Sequence, residues 1–118
     1  MKHPVVWFEV NGDDGSKLQS FYGSLFGWKI DASNPMKYGM VEAEKGRGIA
    51  GGVGYKADDN SPGVTFYVST TDIEGSLADA QELGAKVLMP RTQLPGGTIL
   101  AMFADPQGNP IGLVEESA

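Results

Sequence analysis

The pattern of apolar and polar positions repeats along the chain after 58 residues. Residues 6–10 and 64–68 both alternate in character and carry β-branched and aromatic side chains, which is typical of a strand. In each copy a polar turn, an amphipathic helix and a glycine follow. The repeat predicts two supersecondary units that pack together into one core.

Each repeat contains a helix whose apolar residues fall on one side. In the first, Ser16 is predicted to cap the helix and Gly27 to end it. In the second, Thr71 and Glu74 have the spacing of a capping box, and the helix runs up to Gly84. The apolar positions predicted to face the core are Leu18, Phe21, Tyr22, Leu25 and Phe26 in the first helix, and Ile73, Leu77, Ala80 and Leu83 in the second. Trp28 is assigned to core packing with the aromatic residues of the first helix.

The remaining segments read as short strands, three after each helix. Glycines at 46–54 alternate with larger residues and predict a bent strand. Residues 105–109, Asp-Pro-Gln-Gly-Asn, predict a tight turn. The result is an α+β fold of two βαβββ repeats, about 4–57 and 62–116, in one domain covering residues 1–118. The predicted strands are 4–10, 28–32, 36–43, 48–55, 63–69, 85–89, 98–104 and 110–115.

Composition restricts the function classes. The chain has 118 residues, 41% of them hydrophobic, and a formal charge of −6, values typical of a soluble globular domain. The negative charge argues against a nucleic-acid partner. With no Cys, disulfides and Cys-based metal sites are excluded. There is no signal-peptide pattern and no apolar run of membrane length, so we expect a cytoplasmic protein without a membrane partner.

The order of elements resembles the vicinal oxygen chelate superfamily, which includes glyoxalase I, bleomycin-resistance proteins and extradiol dioxygenases. The resemblance rests on the doubled βαβββ order, on Phe21-Tyr22 and Phe26-Gly27-Trp28, and on the 105–109 turn before the last strand. It covers nearly the whole chain. It implies curved mixed sheets enclosing a cavity, and it favours a homodimer, because many relatives complete their cavities across a two-fold interface.

Metal-dependent members of this superfamily hold one divalent cation with His, Gln or Glu side chains from four strands. Carried over by resemblance, three of these positions fall on Val5, Gly63 and Gly112, and the fourth falls within residues 49–53. None of these residues has a donor side chain, so we expect no metal cofactor. His3, the only His, has the strand parity of Val5 and is the remaining candidate metal ligand on this strand.

Strand parity predicts which side chains face the cavity. If Val5 takes the ligand position, Trp7 and Glu9 point the same way, while Val6, Phe8 and Val10 face the helix. With the repeat and the third strands included, the predicted ligand-binding residues are Trp7, Glu9, Tyr38, Met40, Thr65, Tyr67, Leu100 and Met102. Such a mostly apolar and aromatic lining is typical of a small-molecule pocket, and it is also compatible with a filled barrel.

Glu9 is the candidate catalytic or ligand-anchoring residue. A carboxylate on an aromatic-lined face needs an ion-pair or hydrogen-bond partner, for which Arg91, Tyr38 and Tyr67 are candidates. It could serve as a general base, grip a ligand amine, or tie strands together.

Three functions remain open. The first is a protein that binds a small, largely apolar molecule without metal, in the manner of glyoxalase-like and bleomycin-resistance proteins. The second is a metal-dependent lyase or isomerase of glyoxalase I type, with His3, Glu9 and Glu42 as candidate ligands. The third is an assembly module without a ligand.

Overall fold

The computed structural model describes residues 2–116, which form an α+β fold with two helices and eight strands. The predicted element order, βαβββ twice, is confirmed. The elements are β1 (Val5–Gly12), α1 (Gly15–Phe26), β2 (Ile30–Asp31), β3 (Gly39–Val41), β4 (Ala50–Tyr55), β5 (Val64–Thr70), α2 (Ile73–Glu82), β6 (Lys86–Gln93), β7 (Ile99–Ala104) and β8 (Pro110–Glu115). No helix among residues 2–116 is both long and apolar enough to cross a membrane.

The chain divides into two compact units, and the first comprises residues 7–65. Its strands lie in the order β2-β3-β4-β1, with β4 parallel to β1 and the other neighbours antiparallel. Val41 and Val53 are buried in this unit. Phe8 packs against Trp28, with ring centroids 5.3 Å apart, and Trp28 stacks on Tyr22 of α1 at 5.6 Å.

The second unit comprises residues 66–116 together with the N-terminal residues up to Val6. Its strands lie in the order β5-β8-β7-β6, again with one parallel pair, β5 and β8. Alternate residues of these strands meet one face of α2. The core consists of Ile73, Leu77, Ala101 and Leu113, with Val68, Val87, Ile99 and Phe103 packed around it.

Helix α1 differs from its prediction in its cap and in its buried face. The N-cap is Asp14, whose side chain accepts a hydrogen bond from the Lys17 amide, and Ser16 lies inside the helix. The C-terminal prediction is confirmed, since Gly27 takes the left-handed conformation.

The apolar stripe of α1 is largely solvent-exposed: Phe21, Leu25 and Phe26 are 55%, 58% and 56% exposed. The helix meets the sheet instead through Gly15 and Gln19. A Cβ at Gly15 would lie 2.8 Å from the Gly54 backbone, and the Gln19 amide donates to the Val53 carbonyl at 2.8 Å. Because Gly15 allows the backbones of α1 and β4 to approach closely, the side of α1 with Gly15 and Gln19 faces the sheet, and the apolar stripe does not.

Helix α2 also begins differently from the prediction. Its N-cap is Asp72, which accepts from the Gly75 amide, so the Thr71–Glu74 capping box is wrong. Ile73 and Leu77 are buried as predicted. Leu83 is 81% exposed, because the helix ends at Glu82 and the next turn carries Leu83 away from the core.

Two loops differ from the predicted strands. Residues 45–47 form a turn and β4 begins only at Ala50, so the bent strand covers half of the glycine-rich segment. Strand β3 begins at Gly39, after a turn in which Lys37 has a φ of 55°. The 105–109 turn is confirmed: the Asp105 carboxylate accepts from the amides of Gln107 and Asn109, and Gly108 has a φ of 90°.

Candidate functional site

The candidate site lies on one face of the unit formed by residues 7–65, along β1. In the parallel ladder Trp7, Glu9 and Asn11 are opposite Ala50, Gly52 and Gly54. The side chain of Phe8 points to the other face, where it covers Gly51. The side chains on β1 therefore alternate as the sequence predicts, and Trp7, Glu9 and Asn11 share a face on which β4 contributes no large side chain.

A chain of hydrogen bonds connects these residues to Tyr38. The Trp7 indole Nε1 lies 2.9 Å from the Tyr38 hydroxyl, which lies 2.9 Å from Glu9 Oε2. An indole nitrogen can only donate, and a phenol has one proton. Tyr38 therefore accepts from Trp7 and donates to Glu9. The second carboxylate oxygen, Oε1, accepts from Asn11 Nδ2 at 2.9 Å.

The glycines of β4 make room for Tyr38. A Cβ at Gly52 would overlap the Tyr38 hydroxyl and ring, and a Cβ at Gly54 would lie 2.8 Å from Tyr38 Cδ1. The phenol ring therefore lies directly against the β4 backbone, with its hydroxyl above the residue paired with Glu9. A side chain at position 52 would compete with Tyr38 for this space.

Tyr38 is held by the turn that precedes it. The Asn34 side chain bonds both backbone groups of Tyr38, accepting from its amide at 2.9 Å and donating to its carbonyl at 2.6 Å. Gln19 of α1 donates to the Lys37 carbonyl at 3.0 Å. Lys37 is a non-glycine residue in the left-handed region, a conformation that persists only where its surroundings enforce it.

Asn11 has an orientation fixed by Glu9. Its Nδ2 must face the carboxylate, because the reversed amide would place oxygen against oxygen. Its Oδ1 is buried and has no hydrogen-bond partner among the described residues. Sequence reasoning missed Asn11, although it lies two residues beyond Glu9 and so has the same strand parity.

Met40 completes the apolar part of this face. It pairs with Gly52 across β3 and β4, which places it on the Glu9 side of the sheet, and it is 45% exposed. Of the predicted ligand-binding residues, the structure thus brings Trp7, Glu9, Tyr38 and Met40 together. Arg91, suggested as a partner of Glu9, instead binds Glu115 through two hydrogen bonds of 2.9 and 3.1 Å.

The equivalent strands β5, β7 and β8 carry the other predicted ligand-binding residues. Gly112 pairs with both Tyr67 and Met102, and a Cβ at Gly112 would overlap the Tyr67 ring. Leu100 lies on β7 opposite Val114. Thr65 and Tyr67 are buried on β5. A role of these four residues in ligand binding stays a prediction.

The residues present do not fit the metal of the superfamily. Val5, Gly63 and Gly112 have no donor atoms in their side chains, and the Tyr67 ring occupies the space above Gly112. Within residues 2–116, no three His, Asp or Glu side chains group as a metal site. His3 Nδ1 lies 3.2 Å from the Ser69 carbonyl.

Comparison with known proteins decides the family. The profile of the glyoxalase-like domain matches residues 7–114. The chain belongs to this family. It is 25% identical over 114 residues to "Putative glyoxylase CFP32" of Mycobacterium bovis and of Mycobacterium tuberculosis. The match covers 91% of this chain and 43% of those proteins, so the chain spans less than half the length of these curated relatives.

Solved structures of this glyoxalase-like protein's superfamily share its fold. A glyoxalase/bleomycin resistance protein/dioxygenase superfamily member from Vibrio splendidus superposes with a TM-score of 0.64 at 16% identity, covering 98% of this chain and 100% of that one. Methylmalonyl-CoA epimerase from Streptomyces coelicolor gives 0.66 at 16% identity, covering 97% of both chains. At such identities the likeness establishes the fold alone.

Proposed function

We propose that this glyoxalase-like protein binds a small, largely apolar molecule against the face formed by Trp7, Glu9, Tyr38 and Met40. The observation that carries the proposal is the hydrogen-bond chain from Trp7 through Tyr38 to Glu9. These hydrogen bonds fix the Glu9 carboxylate among aromatic and thioether side chains, on a face of the sheet to which β4 contributes only alanine and glycine. Few polar groups, placed accurately among apolar ones, are typical of small-molecule sites.

The proposed binding needs no metal. The competing function is a metal-dependent lyase or isomerase of glyoxalase I type, which the family and the name of the mycobacterial relatives favour. It would require ligands that Val5, Gly63 and Gly112 do not provide. Glu9, a ligand candidate in that function, already accepts hydrogen bonds with both carboxylate oxygens.

We propose further that the protein forms a homodimer. Support comes from the superfamily and from the exposed stripe of Phe21, Leu25 and Phe26 on α1, because neighbouring exposed apolar side chains are typical of contact surfaces. Sedimentation equilibrium tests this, and a monomer at all accessible concentrations would contradict it.

The binding proposal is tested by tryptophan fluorescence. In a Trp28→Phe background the emission comes from Trp7, and titration with 2-phenylethanol should change its intensity with saturation. Tyr38→Phe keeps the ring and removes the hydroxyl that links Trp7 to Glu9, so we expect weaker binding. Glu44→Gln, a charge change at an exposed carboxylate, is the control and should leave binding unchanged.

Two results would contradict the binding proposal. One is a Trp7 emission that does not change with any apolar probe, and the other is equal weakening of binding by the Tyr38→Phe and Glu44→Gln variants.

A further inference from the structure

The outer side of α1 carries a row of exposed apolar side chains. Phe21 and Leu25 are four residues apart and therefore lie on one ridge of the helix, and Phe26 follows directly. Each of the three is more than half exposed. The side of α1 that meets β4 is a different one, formed by Gly15 and Gln19. Nothing within the unit of residues 7–65 covers this row, which leaves it available to a partner.

The area of the row matches the apolar part of a small protein interface. A large apolar side chain that is about half exposed presents roughly 100 Å² to solvent, so three of them on each of two copies would bury on the order of 600 Å². A specific interface of about 1,200 Å² in total is a little over half non-polar. Two copies of α1 that face each other therefore supply the apolar area of a dimer at the lower end of the specific range.

Charged residues flank the row, with opposite signs at its two ends. Asp13 and Asp14 precede α1, and Lys29 follows it. Asp13 and Lys29 are exposed, and within residues 2–116 neither takes part in an ion pair. Each lies eight residues from Phe21. If two helices run antiparallel about a two-fold axis at Phe21, Asp13 of each copy comes opposite Lys29 of the other.

The charges favour a second copy over other occupants of this surface. Membrane surfaces are anionic, and helices that lie on them carry Lys and Arg beside their apolar side chains. This chain has a formal charge of −6, and two carboxylates stand at one end of the row. A helix that is acidic at one end and basic at the other is complementary to its own copy in the reverse direction.

We propose that two copies of this chain associate through α1, as an antiparallel pair of helices centred on Phe21. This rests on the homodimer of the proposed function and names its interface. Phe8 packs against Trp28 on the α1 side of the sheet, whereas Glu9 has the opposite parity on β1. The α1 dimer therefore leaves the proposed ligand-binding face uncovered.

Charge reversal tests the antiparallel arrangement, with sedimentation equilibrium as the measurement. Asp13→Lys places like charges opposite each other at both ends of the interface and should weaken the dimer about tenfold, although it reduces the net negative charge. Asp59→Lys makes the same change of net charge at an exposed position outside α1 and its flanking residues, and should not weaken the dimer. An equimolar mixture of Asp13→Lys and Lys29→Asp should form a heterodimer more readily than either variant forms a homodimer, because each copy then meets opposite charges.

Replacement of a leucine tests the apolar row. Leu25→Gln should weaken the dimer at least about tenfold, because it removes apolar area from both copies. Leu83→Gln is the matched control, since Leu83 is also exposed but lies after α2, and it should leave the dimer unchanged. Both variants should bind 2-phenylethanol as the wild type does.

The outcomes separate this inference from the rest of the proposed function. A wild-type monomer overturns the homodimer and its interface and leaves small-molecule binding standing. A dimer that Asp13→Lys and Leu25→Gln do not weaken, or that the two control variants weaken equally, keeps the homodimer and overturns the α1 interface. If 2-phenylethanol does not bind while the α1 variants dissociate as expected, the interface stands and the binding proposal fails.

Discussion

Replacing Gly52 by Ala should displace the Tyr38 ring and break the hydrogen bonds that join Trp7, Tyr38 and Glu9. The new methyl group would occupy the place of the Tyr38 hydroxyl and ring, and the β4 backbone cannot withdraw because β1 and β3 pair with it on both sides. We expect the phenol to swing out. Trp7 and Glu9 then lose their shared partner.

The magnitude follows from the two bonds lost. The Trp7–Tyr38 bond joins neutral groups and is worth about 0.5–1.5 kcal/mol, and the Tyr38–Glu9 bond reaches a carboxylate and is worth about 1.5–3 kcal/mol. Their loss together should lower the free energy of unfolding by roughly 2–4.5 kcal/mol. For a chain of 118 residues this corresponds to a fall in Tm of roughly 8–18 °C, at about 4 °C per kcal/mol.

Gly48→Ala is the matched control. A Cβ at Gly48 meets nothing within 4 Å, and Gly48 does not have a positive φ, so the same chemical change should be neutral or stabilising by up to about 1 kcal/mol. Urea unfolding of both variants gives the free energies, and Trp7 emission in the Trp28→Phe background reports whether Tyr38 has left. If Gly52→Ala is as stable as Gly48→Ala and keeps the same emission, Tyr38 does not lie on Gly52 and the site as described is wrong.

Four other outcomes are expected. Leu77→Ala should cost about 2–4 kcal/mol in urea unfolding and Leu83→Ala less than about 0.5, since only the first side chain is buried; equal costs would contradict the end of α2. Lys37→Gly should raise the free energy of unfolding by about 0.5–1 kcal/mol, because glycine adopts the left-handed conformation of Lys37 without steric strain. A lower free energy of unfolding than in the wild type would contradict the positive φ at this position. Hydrogen bonds from the side chain and amide of Asn109 lower the pKa of Asp105, so its contribution to stability is present above about pH 4 and is lost as pH falls through the lowered pKa. Asp105→Asn should reduce the fall of Tm in acid. If Tm depends on pH equally in the wild type and the variant, the hydrogen bonds of Asp105 in this turn are contradicted. Excess Ni²⁺ or Zn²⁺ should leave Tm unchanged. A saturable rise in Tm with either metal would instead favour the metal-dependent function.

The order of elements was predictable from the sequence, but the buried face of α1 was not. Period-2 alternation in β1 and β5 and helical spacing in between specify βαβββ without tertiary information. In α1 the hydrophobic stripe suggested a buried Phe21 and Leu25, whereas Gly15 and Gln19 meet the sheet. Such a contact depends on how closely two backbones approach, which periodicity does not encode.

The site was predictable where strand parity sufficed. Parity placed Trp7 and Glu9 on one face, and the choice of Tyr38 as a donor to Glu9 is confirmed. The contacts of Asn34 with Tyr38 depend on a turn whose left-handed residue is Lys37, and Lys is not a residue that favours this conformation. No local signal therefore predicts how Tyr38 is held.

In both repeats a tyrosine ring covers a glycine of the neighbouring parallel strand, but the tyrosine comes from a different position in each. This difference makes Glu9 the residue at which the first repeat departs from the second. The 58-residue repeat makes Glu9 equivalent to Tyr67, and each pairs with a glycine on its parallel neighbour, Gly52 and Gly112. In the second repeat Tyr67 itself covers the glycine. In the first repeat the covering phenol comes from Tyr38, which frees the strand position for a carboxylate and then hydrogen-bonds to it. An aromatic residue at position 9 would satisfy packing alone, as it does in the other repeat. A carboxylate costs desolvation and requires Tyr38 and Asn11 to offset it, and local rules are most often broken in this way where a protein binds or reacts.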